Sequence, residues 1–328
     1  MKVHVEGPPG AGAGVLARRL ASDLHLRVES PVPRGEALAD LVTRELTGGD
    51  VVQVHGYVTL HGFARALASN KYREPLQKWE VQLLDRAALS GGCCRLFVTA
   101  RPEEVAILAD PREKRDDFTR ALCSHHERLL AGLEEAQQWS SIPTLRVDGP
   151  RLSEEGYRQV LAWIRAELLR QQEAIQHHRR HRSSGTVTRP LAALVGDRYP
   201  EGGHDLRDQP GARAFVRATG SSWTLHRALS AAGLSEAYVT NWHKTGDEVA
   251  DLWTLRHELE HVDPQTIIAL GTAAGRALRR IKVPHTELTH PSHQKRFNAG
   301  AFGGYVKRLT VAVSEPPQWP PVHLLTDV

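Results

Sequence analysis

Residues 7–14 read Gly-Pro-Pro-Gly-Ala-Gly-Ala-Gly and directly follow an apolar β-rich run, Val3-His4-Val5. Beyond them, Leu16, Leu20 and Leu24 recur at the spacing of one helix face. A glycine-rich turn between a strand and a helix lets backbone N–H groups and the helix N-terminus approach an anion. The stretch therefore predicts an α/β fold that begins with a strand, an anion-binding turn and a helix.

The same alternation of short β-rich runs and helical stretches continues along the chain, which indicates parallel sheets with crossover helices. The predicted strands are Val3–Val5, Val51–Val54, Leu96–Val98, Thr144–Val147, Leu191–Val195, Ala237–Thr240, Ile267–Leu270 and Thr310–Val313. A chain of 328 residues can bury two separate cores. We predict two parallel-sheet α/β domains, 1–155 and 191–328, joined by a helix and a basic linker over 156–190.

Composition sets limits on the partners and on the compartment. The net charge of +4 and a pI near 9.0 are compatible with a polyanionic partner but do not require one. Three cysteines without a CxxC pair indicate a reducing compartment and exclude a four-cysteine cluster. No apolar run reaches membrane-spanning length and the N-terminus does not resemble a signal peptide, so we expect a cytoplasmic protein without membrane association.

The segment 177–185 reads His-His-Arg-Arg-His-Arg-Ser-Ser-Gly and contains no apolar side chain. It follows a helical stripe that includes Val160, Ile164 and Leu168. We therefore expect a solvated linker at 177–185. Two interpretations stay open, an exposed spacer or a basic segment that contacts phosphates.

The turn over residues 7–14 resembles the P-loop of nucleotide kinases. Gly7, Gly10 and Gly12 match its glycines, whereas Ala13 occupies the lysine position and Gly14 the Ser/Thr position. Without the lysine no ammonium group meets the transferring phosphoryl group, and without the hydroxyl one Mg²⁺ ligand is missing. Two alternatives remain, a phosphate-binding pseudokinase or a kinase whose lysine has been replaced by alanine. The resemblance implies ATP and Mg²⁺ as cofactors only if this half is active.

Residues 1 to about 150 resemble deoxynucleoside and thymidylate kinases. The segment Arg27-Val28-Glu29-Ser30-Pro31 is similar to the one in which those kinases hold a carboxylate near the acceptor hydroxyl, which implies Glu29 as general base. Their Asp-Arg pair after the next strand falls at His55-Gly56, so an expected catalytic arginine is missing. The resemblance implies that Arg112 and Arg115 belong to a lid over the phosphates; a solvated helix face is the alternative.

Four ordered motifs within about residues 190–312 resemble the uracil-DNA glycosylase superfamily. They are Gly196-Asp197-Arg198-Tyr199-Pro200, Ala214-Phe215-Val216, Tyr238-Val239-Thr240-Asn241 and Thr289-His290-Pro291-Ser292-His293. The resemblance implies that Asp197 activates water, that Phe215 stacks on an extruded base and that Asn241 reads a pyrimidine edge. It implies that His290 donates to the departing base. The first loop has one residue more than the family's usual loop, which leaves the reach of Asp197 open.

The loop after His290 carries the residues that the resemblance assigns to the DNA backbone, namely Ser292, His293, Lys295 and Arg296. Three of the base-site residues also have an ordinary structural interpretation. Asp197 could cap a turn, Phe215 could belong to the core, and Asn241 could cap a helix.

One further pattern is His257-Glu258-Leu259-Glu260-His261, which has the HExxH spacing of a zinc site on a helix. No third-ligand motif accompanies it, and short motifs often match by accident. We therefore predict no metal site there.

Together these features favour a DNA base-modification protein. The C-terminal domain would recognise a uracil- or thymine-like base such as 5-hydroxymethyluracil, and the kinase-like domain would transfer phosphate to it. This resembles the strategy of hypermodifying bacteriophages, and such a protein would act in the host cytoplasm. The first alternative is an N-glycosylase that releases a pyrimidine base, with the N-terminal half a phosphate-binding pseudokinase. The second is a pair of binding modules. The expected partner is DNA or a pyrimidine deoxynucleotide.

Overall fold

The computed structural model of the chain describes residues 1–29, 37–47, 49–67, 74–107, 116–198, 214–216, 220–293 and 299–315. The chain divides into two compact units, Met1–Gln176 and His177–Val328. Each unit is built on a parallel sheet with helical connections, so the predicted α/β class with two parallel sheets is confirmed. Within the described residues, no helix combines the length and the apolar character that crossing a membrane requires.

The strands of the first unit within the described residues are β1 Lys2–Glu6, β2 Arg27–Glu29, β3 Val51–Val54, β4 Cys93–Thr99 and β5 Thr144–Asp148. Its helices there are α1 Ala13–Leu24, α2 Leu38–Thr47, α3 Tyr57–Leu67, α4 Lys78–Ser90, α5 Pro102–Ile107, α6 Asp117–Cys123, α7 His126–Trp139 and α8 Glu154–His181. The sheet order is β2-β3-β1-β4-β5, and every neighbouring pair is parallel. From His177 onward, α8 belongs to the second unit.

The order of the first sheet defines where it can present a ligand. The chain leaves β1 toward β2 on one side, whereas β4 leads to β5 on the other side. Because the direction of the connections reverses between β1 and β4, a crevice forms at the carboxyl ends of these two strands. The glycine-rich turn starts at this crevice, since it follows β1 without a break.

Alternation along β1 gives the first sheet one apolar face. Val3 and Val5 pack in a core with Leu20 of α1. His4 and Glu6 lie on the opposite face and are also fully buried. The sheet is therefore covered on both faces, as expected for a parallel sheet with crossover helices.

The strands of the second unit within the described residues are β6 Ala192–Gly196, β7 Tyr238–Asn241, β8 Thr266–Leu270 and β9 Thr286–Leu288. Its helices there are α9 Gly220–Ala231, α10 Glu248–Val262, α11 Thr272–Arg280 and α12 Phe302–Ser314. The sheet order is β7-β6-β8-β9, again parallel throughout. The connections reverse between β6 and β8, so this sheet also has a crevice at its carboxyl edge.

One predicted strand is wrong. Residues 310–313 lie in α12 and not in a strand. The buried side chains of this helix, Tyr305, Leu309 and Ala312, recur at intervals of four and three residues, which is the helical period. The β-branched residues Thr310 and Val311 favoured the strand prediction, but both lie on the exposed side of that helix. The three-residue strands β2 and β9 were not predicted.

The expectation of a solvated linker at 177–185 is also wrong. Helix α8 continues to His181, and His177, His178 and Ser184 are buried. His177 Nε2 lies 2.8 Å from the hydroxyl of Tyr238, and Ser184 pairs with Val239 of β7 in an antiparallel bridge. The absence of apolar side chains was misleading, because imidazole and hydroxyl groups can be buried when each finds a hydrogen-bond partner.

Candidate functional site

The glycine-rich turn runs from the end of β1 to the start of α1, which is the setting that the sequence predicted. Gly10 and Gly12 have φ values of 80° and 86°, in the left-handed region that favours glycine. A side chain at Gly7 would collide with the carbonyl oxygen of Val98 in β4. The backbone path therefore accounts for all three glycines.

Ala13 is the first residue of α1, and its methyl group is buried. The first N–H groups of a helix have no carbonyl partner within that helix, and together with the helix dipole they favour a bound anion. Ala13 adds no charge to this end of the helix, and Gly14 adds no hydroxyl group. Within these two residues, only backbone N–H groups are therefore offered to an anion.

Sequence reasoning missed one cation close to this turn. The guanidinium group of Arg18 lies 3.9 Å from the position that a Cβ on Gly14 would occupy. Arg18 follows Gly14 by one helical turn, a spacing that brings side chains onto the same face. The i, i+4 spacing could have suggested this contact.

Glu29, the predicted general base, ends β2 at the same edge of the sheet as the turn. Two strand spacings of about 4.8 Å separate β2 from β1, so Glu29 lies roughly 10 Å across the sheet from the strand that precedes the turn. Its carboxylate is partly exposed and accepts a hydrogen bond from Arg27 Nη2 at 3.3 Å. The kinases that the first unit resembles have an acidic residue at the position of His55. The imidazole of His55 is largely buried, and this burial lowers its pKa. Arg112 and Arg115 lie outside the described residues.

The second unit brings its four predicted base-site residues to one edge. Asp197 follows β6, Asn241 ends β7 and His290 follows β9, so all three lie at the carboxyl ends of parallel strands. Asn241 and Phe215 meet at Gly196, because a side chain there would collide with Asn241 Oδ1 and with the ring of Phe215. The rings of Phe215 and His290 are 5.8 Å apart between centroids.

Asn241 is 5% exposed, and its Oδ1 atom is buried without a hydrogen-bond partner among the described residues. An unsatisfied buried amide oxygen costs about 1–3 kcal/mol, and few native structures retain one without a reason. The alternative in which Asn241 only caps a helix receives no support, since α10 is capped by the side chain of Asp247. The unpartnered Oδ1 is an acceptor at the centre of the cluster.

The tautomer of His290 follows from its contacts. The backbone N–H of Ser292 donates to Nδ1 at 3.2 Å, and the Ser292 hydroxyl lies 2.7 Å from the same atom. Because a backbone N–H can only donate, Nδ1 is an acceptor and the neutral ring carries its proton on Nε2. Burial lowers the pKa of His290, and the carboxylate of Asp197 offsets part of that shift. Near pH 7 the ring is therefore neutral and can donate through Nε2.

Asp197 is held in place by the residue that follows Asn241. Trp242 Nε1 donates to Asp197 Oδ1 at 2.8 Å, and the backbone N–H of His243 donates to the Asp197 carbonyl oxygen at 3.1 Å. Sequence reasoning missed Trp242, although a tryptophan directly after a strand-terminal asparagine was a visible signal. Tyr199 lies outside the described residues, as does the rest of the loop to residue 213, so the extra residue in this loop has no structural account.

The predicted DNA-contacting loop is described only in part. Ser292 contacts His290, as given above, and His293 is exposed. Lys295 and Arg296 lie outside the described residues, as does Phe297. DNA contact by this loop remains a prediction.

The HExxH pattern is explained without a metal. Glu258 is buried, accepts a hydrogen bond from Tyr238 and forms an ion pair with Lys244 Nζ at 2.8 Å. His257 donates to the carbonyl oxygen of Trp253 at 2.9 Å, whereas His261 stacks on His177. Across the described residues, no three His, Cys, Asp or Glu side chains are grouped so that they could hold a metal ion.

Comparisons with known proteins found no matching family model and no similar curated protein. One similar solved structure is the YorR protein of Bacillus subtilis, determined in complex with phosphorylated GDP. It is 13% identical, with a TM-score of 0.41 over 51% of this chain and 97% of that chain. Another, from Pseudomonas aeruginosa PA01, is described as polyphosphate kinase 2; it is 11% identical, with a TM-score of 0.40 over 97% of this chain and 91% of that chain. The fold therefore rests on the two parallel sheets themselves.

Proposed function

We propose that the second unit binds an extruded pyrimidine base of DNA and cleaves its N-glycosidic bond, while the first unit binds phosphate groups. The observation that carries this proposal is the contact of Phe215 and Asn241 at Gly196 with the ring of His290 5.8 Å from that of Phe215, together with the Oδ1 atom of Asn241, which has no hydrogen-bond partner among the described residues. A flat ring, an amide and a neutral imidazole donor are the groups that a flipped pyrimidine requires.

The proposed reaction assigns a separate task to each side chain. Phe215 stacks on the base, and Asn241 pairs with its hydrogen-bonding edge. As the bond between N1 of the base and C1′ of the sugar breaks, the electron pair moves to the base. His290 Nε2–H then stabilises the negative charge on the carbonyl oxygen. A water molecule oriented by Asp197 adds to C1′, and its proton balances the one that the released base takes up.

The test is a release assay with oligonucleotides that contain a single uracil, thymine or 5-hydroxymethyluracil. We expect free base to appear with at least one of them, and His290→Ala to lower its rate roughly 100- to 1000-fold, since the departing anion loses its donor. No release from any of the three would overturn the glycosylase proposal. If His290→Ala changed only the affinity, the unit would hold a base without cleaving it.

A second candidate function is phosphate transfer to a pyrimidine, such as 5-hydroxymethyluracil in DNA. It is favoured by the position of Glu29, at the same sheet edge as the glycine-rich turn and roughly 10 Å from β1. Glu29 would take the proton of the acceptor hydroxyl while its oxygen attacks the γ-phosphorus of ATP and ADP leaves. Ala13 opposes this candidate, because it provides no charge for the transferred group.

The two candidates separate in one reaction that contains ATP, Mg²⁺ and the three oligonucleotides. Free base supports the glycosylase, and phosphorylated base supports the kinase. For the kinase we expect transfer to depend on Ala13→Lys, and we expect Glu29→Gln in that background to remove it. An Ala13→Lys protein that binds ATP but transfers nothing to any of the oligonucleotides would eliminate the kinase candidate.

A further inference from the structure

We propose that His226 is a positioning residue for the base site, which acts through the backbone of Phe215 and never touches the base; this inference rests on the proposed base-binding function. Phe215 has a φ of 54°, in the left-handed region that bulky residues rarely adopt. Such a backbone conformation persists only where neighbouring groups hold it, and it is concentrated at binding sites. The groups that hold it are therefore part of the site.

His226 lies on α9 and is 5% exposed. Its Nε2 atom lies 2.8 Å from the carbonyl oxygen of Phe215. A carbonyl oxygen can only accept, so His226 carries a proton on Nε2 and donates it to Phe215. Rotation of the Phe215 backbone toward negative φ would displace this carbonyl and leave the imidazole donor without it.

A second support comes from the segment that follows α8. The backbone N–H of Ala214 donates to the carbonyl oxygen of Arg182 at 2.7 Å, and the Ser184 hydroxyl donates to the Ala214 carbonyl oxygen at 3.4 Å. Ser184 is itself fixed to β7, since it exchanges two backbone hydrogen bonds with Val239. Ala214 is thus bonded to Arg182 and to Ser184, which is itself bonded to the strand that carries Asn241, and Phe215 is bonded to His226.

These bonds determine where the aromatic ring lies. In the observed conformation the ring fills the space above Gly196, next to Asn241 Oδ1 and 5.8 Å from the ring of His290. Loss of the His226 bond would free the Phe215 backbone to leave the left-handed region, and the ring would leave the position in which it can stack on a base. The expected defect is specific to ligands that offer a base.

The experiment compares two fluorescent oligonucleotides of the same sequence, one with a single 2′-fluoro-substituted uracil nucleotide, whose glycosidic bond resists cleavage, and the other with an abasic site at that position. Affinities are measured by anisotropy for the wild type and for His226→Leu, which fills the space without donating. We expect His226→Leu to weaken binding of the uracil oligonucleotide about fivefold or more, the lower limit of base stacking, and to change binding of the abasic one less than twofold. His226→Gln keeps a donor at the ε position and should restore binding to within twofold of the wild type.

A double-mutant cycle excludes a merely structural role. In a Phe215→Ala background, His226→Leu should have no further effect, because the ring that His226 positions is gone. Equal losses for both oligonucleotides, or additive effects in the cycle, would overturn the proposal. If His226→Leu fails to fold, His226→Asn serves instead, since its amide is too short to reach the Phe215 carbonyl. A wild type without preference for uracil over the abasic site would refute the proposed base binding itself, and the role of His226 with it.

Discussion

The glycine-rich turn of the first unit and the carboxyl edge of the second sheet occupy equivalent positions, at the point where a parallel sheet reverses its connections. They differ in what they offer a ligand. The turn at 7–12 presents backbone N–H groups and the end of a helix, whereas the second edge presents the side chains of Asp197, Asn241 and His290. A backbone site recognises phosphate in general. Side chains can in addition donate or accept protons during the chemistry of a selected base.

The difference also determines which substitutions matter in each unit. In the first unit, ligand binding should be sensitive to changes in backbone conformation and to charge added at the start of α1. In the second unit, binding and chemistry should be sensitive to the replacement of single side chains.

The largest effect should come from His290→Ala. We expect the rate of base release to fall roughly 100- to 1000-fold, about 2.7–4 kcal/mol, because the Nε2–H donor to the departing base is lost. The measurement is single-turnover release of free base. His257→Ala is a matched control, since His257 is an exposed histidine of the same unit that contacts only its own helix among the contacts described above. Equal effects of the two variants would remove His290 from the proposed chemistry.

The second-largest effect should come from a positive charge added to the glycine-rich turn of the first unit. Ala13→Lys places an ammonium group at the start of α1, and we expect it to tighten binding of MgATP by about 1.5–3 kcal/mol, roughly tenfold to a hundredfold. Isothermal titration measures the change. Val15→Lys adds the same charge two residues later at an exposed position, and it should alter the affinity little. If both lysines acted alike, the effect would be long-range attraction and not a phosphate contact.

Loss of the aromatic ring should affect all bases alike. Phe215→Ala removes stacking worth about 1–3 kcal/mol, so we expect binding of uracil-, thymine- and cytosine-containing oligonucleotides to weaken by a similar factor of roughly 5 to 150. Anisotropy titrations with the three oligonucleotides measure it. A loss confined to one base would assign the ring a role in discrimination.

Asn241→Ala, in contrast, should weaken binding of one base and not of all bases alike. Removing the amide takes away the group that distinguishes one pyrimidine edge from another, so uracil should lose about 1–3 kcal/mol while cytosine changes little. The ratio of the two affinities is the quantity to measure. An unchanged ratio would mean that Asn241 does not read the base.

Strand ends were the part of the site that the sequence could predict. Asp197, Asn241 and His290 are separated by 44 and 49 residues, and the resemblance to the uracil-DNA glycosylase superfamily assigned all three to one base site. The structure places them at the carboxyl ends of parallel strands, which lie along one edge of the sheet. The contacts that support them could not be predicted in the same way. The bonds from Trp242 to Asp197 and from His226 to Phe215 depend on loop conformations, which no periodic pattern encodes.

The segment after α8 shows a second limit. Binary patterning treats residues 177–185 as exposed because none of them is apolar. In the folded chain, His178 is buried through hydrogen bonds to Ser183 and to the carbonyl oxygen of Gly185. Whether a polar side chain can be buried depends on partners distant in sequence or in an irregular loop, and composition does not contain that information.

These buried histidines predict a pH dependence of stability. Burial, together with nearby positive charges, lowers the pKa of His177 and of His181 from 6.5 to about 4. The unfolded chain then binds more protons than the folded chain below pH 6.5, so the free energy of unfolding should fall as the pH decreases from 6.5 to 4. The slope is at most about 1.4 kcal/mol per pH unit for each ring.

Urea titrations at pH 7 and pH 5 measure this dependence. His177→Gln should flatten it, and His257→Gln is the control, because His257 is exposed. A wild-type protein that is equally stable at both pH values would mean that the two imidazoles are not held neutral by the fold.

The smallest effect tests the support of Asp197. Trp242→Phe keeps an aromatic ring but removes the indole N–H that donates to Asp197 Oδ1. A hydrogen bond of this kind contributes about 1 kcal/mol, so we expect base release to slow close to fivefold while binding of the oligonucleotide is unchanged. Trp253→Phe is the matched control, since Trp253 is an exposed tryptophan of α10 whose ring contacts that of His257 at 3.9 Å between centroids. A loss of affinity instead of rate would mean that Trp242 contacts DNA. In that case, Trp242 would serve in DNA binding and not in orienting the carboxylate of Asp197.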